Sequence, residues 1–379
     1  MNYDISHKRN LHRFDPVAYL VIEKFRLSPL TFGLLAAVTA TVVYLFTAWI
    51  TDTLWSKQEQ MGLLRDWIPW LLGLFINPVT LGYYLWSFQA IDKVIQELET
   101  SDVLETDQSE IDQFVINLYS KKWRKLSALA SAIFFSTIVF ITRPRLENSW
   151  TSSSLLATLT ITIATFAVVY MGSMLVLNLI TNIWIFYRIF GKKNLDINPL
   201  HPDRCGGLRC LSDYSLQTAY LVGVLGILIG VIEYQVITQG IEKEFWFVHL
   251  VIPLYIFLLM ECFFGPLLAA HSGMKRAKEE SLHKIARQFR TQYSGIYTSL
   301  AEETEAFNKK SEKIQQLRAL YTMTDELPVW PFDVKTFRRY LLTVPTPLIG
   351  SLIGIVQKLL INRTLATGYQ TWLVKGVIK

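Results

Sequence analysis

The chain has 379 residues, of which 51% are apolar and 18% charged, and its mean hydropathy is +0.29. This composition argues against a soluble globular protein and indicates an integral membrane protein. The net charge of +6 could suggest nucleic acid, but the basic residues flank apolar stretches. Anionic lipid headgroups of the bilayer are therefore the expected partner, and nucleic acid is not. Three cysteines, an odd and low number, indicate no disulfide framework.

The N-terminal part, residues 1–30, predicts a polar cytoplasmic tail followed by a short helix. Asp15 and Pro16 are residue types preferred at the N-cap and at the first position of a helix. The apolar residues that follow fall on one side of this helix. It either lies along the membrane interface or packs on the cytoplasmic part of the protein.

Six apolar stretches are long enough to cross a bilayer as helices. Residues 31–88 contain spans 1 and 2, residues 126–190 contain spans 3 and 4, and residues 216–270 contain spans 5 and 6. A kink is expected at Asn77-Pro78 in the second span, because proline removes a backbone hydrogen bond.

Four further segments complete the predicted organisation. Residues 89–125 predict a cytoplasmic helical hairpin, and residues 191–215 a basic cytoplasmic loop. Residues 271–335 continue the sixth span as a cytoplasmic long-helix domain. Residues 336–379 predict a membrane-associated segment, and its apolar part is either a re-entrant hairpin, a seventh span or an interfacial helix. The predicted fold class is thus an all-α polytopic membrane protein with a cytoplasmic helical domain.

Lysine and arginine counts predict the orientation. Three connections carry five basic residues each, and the three that alternate with them carry two, two and one. The first group comprises the N-terminal tail, 89–125 and 188–213, and the second comprises 51–66, 143–152 and 240–244. Since basic connections stay in the cytoplasm, the N-terminus is expected there.

Ionisable side chains inside the spans are the costliest residues, at about 2.5–3.5 kcal/mol for a central Asp, Lys or Arg on insertion scales. Glu261 falls in the inner half of the sixth span, whereas Glu233 and His249 lie near the outer ends of the fifth and sixth. Glu261 is therefore the first candidate for a pore-lining, ion-coordinating or proton-accepting carboxylate. The alternative is a structural carboxyl group that is neutral or hydrogen-bonded to a neighbouring helix.

Uncharged residues in the membrane part supply two further sets of candidates. Asn77, Asn178 and Asn182 are additional pore or ion-binding candidates, and the last two share a helix face one turn apart. Small residues four positions apart predict close helix packing. These pairs are Gly226 with Gly230 and Gly350 with Gly354.

The loop before the fifth span has two interpretations. Its potential metal ligands, in a pattern compatible with zinc, are His201, Asp203, Cys205 and Cys210. The favoured alternative is a structured turn in which Pro202 fixes the entry and Asp203 bonds its own backbone. Gly206 and Gly207 would then supply residues with positive φ.

No catalytic signature is present in the sequence. It contains no phosphate-binding loop, no H-E-x-x-H, no nucleophile elbow and no C-x-x-C. The protein is therefore expected not to be an enzyme and to have no cofactor.

Two motifs carry a resemblance to known sequences. His-Pro-Asp-x-x-Gly-Gly-Leu precedes a span, and Pro-Val-Trp-Pro-Phe-Asp follows a long polar helix. Together they resemble a set of uncharacterised bacterial polytopic membrane proteins, over roughly residues 195–360. The resemblance implies a bacterial inner membrane and no particular activity.

The sequence favours a gated, channel-like pore protein that forms a homo-oligomer. Its long cytoplasmic helices would couple a signal to the membrane part. A secondary transporter is the second interpretation, although an internal repeat of broken helices, which is typical of that class, is not evident. The third is a membrane-anchored sensor or scaffold without transport.

Overall fold

The computed structural model describes most of the chain. The described residues are 9–56, 61–104, 108–145, 149–152, 154–192, 201–203, 205–239, 247–299, 304–327, 329–332 and 337–340. Within these ranges no β-strand is found, and a bridge between Met61 and Ser149 is isolated. The prediction of an all-α protein is confirmed.

The described residues form helices that we number α1 to α10 in chain order. They are α1 (Pro16–Tyr19), α2 (Pro29–Ile50), α3 (Trp67–Leu71), α4 (Asn77–Thr100), α5 (Gln108–Tyr119), α6 (Lys122–Thr142), α7 (Leu155–Lys192), α8 (Arg209–Gln239), α9 (Phe247–Ser299) and α10 (Thr304–Asp325). Short π-helical turns, Leu20–Lys24 and Leu72–Ile76, follow α1 and α3.

Six helical segments of the described chain are long and apolar enough to cross a membrane. They are Pro29–Ile50, Trp67–Thr100, Ser109–Thr142, Leu155–Gly191, Arg209–Val231 and Tyr255–Ser294. Each overlaps one of the six predicted spans, so the chain is a multi-pass membrane protein. Several run past the predicted span ends, because α4 and α9 continue into polar residues without a break and only Ser120 and Lys121 separate α5 from α6.

The second span changes its helical hydrogen bonding where Asn77-Pro78 predicts a kink. The π-helical turn Leu72–Ile76 lies directly before Asn77, and Pro78 occupies the first turn of α4. Proline has no amide hydrogen to donate, and its ring needs space near the carbonyl four residues earlier, which a wider π-helical turn provides. A Cβ atom on Gly33 would lie 2.7 Å from the Pro78 carbonyl oxygen, so α2 and α4 meet backbone to backbone.

The helix bundle has two distinct ends. One end, which we call the hairpin end, holds the α4–α5 connection, the N-terminal segment and the loop before α8. Its parts touch, since a Cβ on Gly207 would lie 2.5 Å from a methyl carbon of Val103. The opposite end is closed by a smaller apolar cluster that includes Tyr44, Leu63 and Trp150. The described parts of the three connections richest in basic residues therefore lie together at the hairpin end.

The N-terminal segment packs into the protein. Leu11 and Ala18 are fully buried in the main core. Asp15 caps α1 as predicted, accepting hydrogen bonds from the first backbone amides of that helix. Its buried carboxylate also accepts from the hydroxyls of Tyr84 and Tyr170, which tie the segment to α4 and α7.

Arg9 fixes the start of this segment to the α4–α5 hairpin. Its guanidinium lies 2.9 Å from Glu99, 2.5 Å from Asp112 and 3.7 Å from Asp92. Three carboxylates from two helices would repel one another without it. The arginine therefore acts as a shared counter-ion that holds the hairpin helices together.

Helix α9 joins the membrane part to the polar part in one piece. It continues through Pro253 and Pro266, and α10 packs back along its polar half. The sixth span therefore continues as one helix into the polar residues that follow it. Tyr340, near the end of the described chain, stacks on Phe263 with ring centroids 3.7 Å apart. The predicted membrane-associated segment beyond it, with Gly350 and Gly354, lies outside the described residues.

Candidate functional site

A cavity of about 490 Å³ lies between α7, α8 and α9, and Glu261 is on its wall. The lining residues are Val176, Ile180 and Ile183 of α7, Leu225, Leu228 and Ile229 of α8, and Tyr255, Phe257, Leu258 and Glu261 of α9. Glu261 supplies the charge of this lining. The residue that the sequence ranks first by depth thus lies on the wall of an apolar cavity between three helices.

The position of Glu261 follows from the helical repeat of α9. Tyr255, Leu258 and Glu261 recur every three residues, so they lie on one side of the helix and face α7 and α8. One turn further, Gly265 makes room for the carboxylate, because a Cβ there would lie 3.4 Å from its Oε2 and 3.0 Å from Ile183. Gly265 is not singled out by the sequence alone.

Gly226 lies at the contact between α8 and α9, next to the cavity-lining Tyr255. A Cβ on Gly226 would lie 2.3 Å from the Tyr255 hydroxyl oxygen. That hydroxyl donates a 2.9 Å hydrogen bond to the Val222 carbonyl. The expectation that Gly226 lets a helix approach closely is met by α9 of the same chain. Gly230, one turn along, is only half-buried.

Glu261 forms no ion pair with a basic residue in the described part of the chain. Among the described residues, no lysine, arginine or histidine lies within 4.0 Å of its carboxylate. The ionisable groups that sense its charge are the Tyr187 hydroxyl and the Cys262 thiol. A carboxylate with an apolar lining and no basic partner attracts a cation, because a low dielectric strengthens the attraction.

Asn178 and Asn182 lie elsewhere, in a buried network that links five helices, α4 to α8, and includes Arg124. Both asparagines are fully buried. The Asn178 amide donates to Ser87 at 2.8 Å, and its oxygen accepts from Arg124. The network continues through Asn182, whose oxygen accepts from Tyr119 at 2.5 Å and whose nitrogen donates to Tyr214 at 3.0 Å.

Arg124 is the residue of this network that sequence reasoning missed. It lies in the run of basic residues that begins α6, so it resembled a solvated charge. Its side chain is 2% exposed, and its guanidinium lies 4.3 Å above the Tyr119 ring. Its Nε and Nη1 groups have no hydrogen-bond partner in the described part of the chain.

The other candidates from the spans are separate from the cavity. Asn77 begins α4, is half-buried and does not line the cavity. Glu233 and His249 lie on α8 and α9, but their side chains are outside the described part of the structure.

The loop before α8 is a structured turn, as the favoured interpretation predicted. Gly206 and Gly207 have φ of 66° and 91°. The Asp203 carboxylate accepts from the backbone amides of Cys205 at 2.8 Å and Gly207 at 3.1 Å, and it lies 2.7 Å from His201. Burial alone would raise the pKa of Asp203, but these donors outweigh it and lower that pKa.

The alternative of a metal site in this loop gains no support from the geometry. In the described chain, no group of three His, Cys, Asp or Glu residues is arranged to hold a metal ion. Cys205 and Cys210 are buried and form no disulfide, and the Asp203 oxygens are engaged by backbone amides. The same turn leads directly into α8.

Fold and site together define a multi-pass α-helical membrane protein with a charged residue in an apolar cavity between its helices. In comparisons with known proteins, no family model, curated protein or solved structure matches the chain. The resemblance to bacterial polytopic membrane proteins therefore stays a prediction.

Proposed function

We propose that the chain is a membrane transport protein of the carrier type that binds a cation at Glu261. The observation that carries this proposal is the single carboxylate in an otherwise apolar cavity enclosed by α7, α8 and α9. Ion channels are lined by rings of carbonyl groups or charged side chains. A cavity with one carboxylate is instead suited to hold one ligand at a time.

A gated pore, which the sequence favours, is the second candidate because of the course of α9. This helix carries Glu261 and continues into the polar hairpin with α10. Arg276 of α9 donates to the Phe190 and Gly191 carbonyls at the end of α7, and Lys278 donates to the Asp325 carbonyl of α10. A movement of the polar half of α9 together with α10 would therefore reach both α7 and the cavity wall.

Reconstitution into liposomes tests the first candidate against the second. A carrier gives saturable uptake of organic or inorganic cations, and we expect Glu261→Gln to reduce the initial rate by about tenfold or more. Glu279→Gln, an exposed carboxylate on the same helix, is the matched control and should leave uptake unchanged. Both variants must show the wild-type thermal unfolding midpoint.

The other outcomes of this experiment contradict the proposal. Unitary currents in planar bilayers, sensitive to Glu261→Gln, would favour the pore. Absence of both uptake and currents for a broad set of cations would favour a sensor or scaffold without transport. Uptake that is equal in wild type and Glu261→Gln would remove Glu261 from the site.

We further propose the setting in which this transport occurs. The protein lies in a bacterial inner membrane with its N-terminus in the cytoplasm, contacts anionic headgroups at the hairpin end and forms a homo-oligomer. The grouping of the three basic connections at one end supports this orientation. Exposed lysines beside Trp123 at the start of α6 are suited to anionic headgroups at the same end.

A further inference from the structure

We propose that the Glu261 cavity takes an amphipathic organic cation, a positive charge on an apolar body, that enters from the hydrocarbon of the membrane. This inference rests on the proposed function and specifies its substrate class. It is carried by the size of the cavity, the chemistry of its lining and the exposure of its rim.

The lining excludes a bare inorganic cation as the fitting ligand. Hard cations require several oxygen ligands, six to eight for calcium. The cavity offers the Glu261 carboxylate and the Tyr255 hydroxyl, and that hydroxyl is engaged with the Val222 carbonyl. An organic cation needs no such shell, because its charge is compensated by one carboxylate and its body by apolar contacts.

Size and aromatic content favour the organic ligand as well. Pockets for drug-sized molecules have volumes of roughly 300–1,000 Å³, and this cavity, at about 490 Å³, lies within that range. Tyr255 and Phe257 line it, and aromatic faces attract organic cations. Aliphatic residues of α7 and α8 complete the surface against which an apolar body would pack.

The rim of the cavity faces the membrane rather than water. Phe257 is 63% exposed and Ile180 51% exposed, and both lie within segments apolar enough to span the bilayer. A ligand that partitions into hydrocarbon reaches Glu261 through this rim. A zwitterionic phospholipid is a poorer ligand, because its negative phosphate would approach the negative carboxylate. A neutral acyl chain is also poorer, because it would leave the carboxylate without a counter-charge.

Equilibrium binding to the purified full-length chain in phosphatidylcholine nanodiscs tests the inference. The probe is tetraphenylphosphonium, and the matched probe is tetraphenylborate, an anion of similar shape and apolarity. We expect saturable tetraphenylphosphonium binding at least about tenfold tighter than that of tetraphenylborate, a difference of about 1.4 kcal/mol. Equal binding of the two probes would show an apolar groove without charge selection and overturn the inference.

Two variants locate the site. Glu261→Gln should weaken tetraphenylphosphonium binding by about tenfold or more and leave tetraphenylborate binding unchanged or stronger. Ile180→Trp should obstruct the rim and weaken binding of both probes. The controls are Glu279→Gln and Ile163→Trp, an exposed position on α7 outside the cavity. Unchanged binding in both site variants, with wild-type unfolding midpoints, would place the ligand elsewhere.

Binding and flux separate this inference from the proposed function. Glu261-dependent uptake of an inorganic cation, together with no tetraphenylphosphonium binding, would overturn the substrate class and leave the carrier standing. Charge-selective tetraphenylphosphonium binding at Glu261 without uptake of any cation would support the site and overturn the carrier.

Discussion

The Arg124 guanidinium lies against Tyr119 and donates from one of its nitrogens to Asn178. When a buried charged group makes a single side-chain hydrogen bond, the stability of the fold depends on that bond. Without it the charge is unpaired, and its desolvation cost is no longer compensated. Asn178 therefore acts as the acceptor that compensates an arginine, in addition to joining α4 and α7.

We expect Asn178→Leu to lower the free energy of unfolding by about 2–3 kcal/mol, since hydrogen bonds to charged groups contribute roughly 1.5–3 kcal/mol. Replacing both partners, as in Arg124→Met with Asn178→Leu, should recover part of this loss because no charge is then left unpaired. Unfolding midpoints in one detergent, by heat or denaturant, measure the series. Asn117→Leu, on the exposed face of α5, is the control.

A double variant that is less stable than Asn178→Leu alone would contradict this account. It would mean that Arg124 has favourable interactions beyond Asn178 and Tyr119. Transport activity of the series is a separate measurement, because the network does not line the Glu261 cavity.

At the scale of elements, the contact between α8 and α9 forms one side of the cavity. Gly226 allows the Tyr255 ring to reach the Val222 carbonyl, and this contact holds the two helices close. Small residues in membrane helices are favoured at such contacts because helix association there depends on close packing.

Gly226→Ala should destabilise the protein by roughly 1–3 kcal/mol, because its methyl group would overlap the Tyr255 hydroxyl. Gly230→Ala, one turn away and half-buried, should cost less. Thermal unfolding measures stability, and light scattering in detergent measures the oligomeric state. A Gly226→Ala variant with unchanged stability but altered mass would assign this surface to contacts between copies of the chain.

At the scale of the whole molecule, the two ends of the bundle differ in charge and in structure. The hairpin end gathers the basic connections, the N-terminal segment and the polar half of α9. The opposite end is closed by apolar and aromatic side chains. Placing the hairpin end in the cytoplasm follows from the positive-inside rule.

Single cysteines introduced into a chain without Cys205, Cys210 and Cys262 test this orientation. An impermeant maleimide should label Ser281→Cys, on the polar half of α9, only after the cells are permeabilised. Arg65→Cys, at the opposite end, should be labelled in intact cells. Both positions are exposed. The reverse labelling pattern would show the opposite orientation, with the hairpin end outside the cell.

The sequence by itself determined the features that depend on local chemistry. The six spans follow from uninterrupted apolar length. The cap at Asp15 and the turn around Asp203 follow from short polar side chains that bond nearby backbone amides, with Gly206 and Gly207 taking up positive φ. Glu261 was found because a carboxyl group in an apolar stretch is costly wherever the helix packs.

Only the tertiary structure decided which helix faces meet. The cavity combines residues near 180, 227 and 258 of the sequence, and no local pattern pairs these stretches. The burial of Arg124 also depended on packing, because a basic residue at a helix start is solvated unless neighbouring helices cover it. The same holds for Gly33 and Gly265, because atoms of other helices lie within 4 Å of the place where a Cβ would stand. The spacing of apolar residues specifies which face of each helix is buried. Which helix packs against that face is set by the packing of the whole bundle.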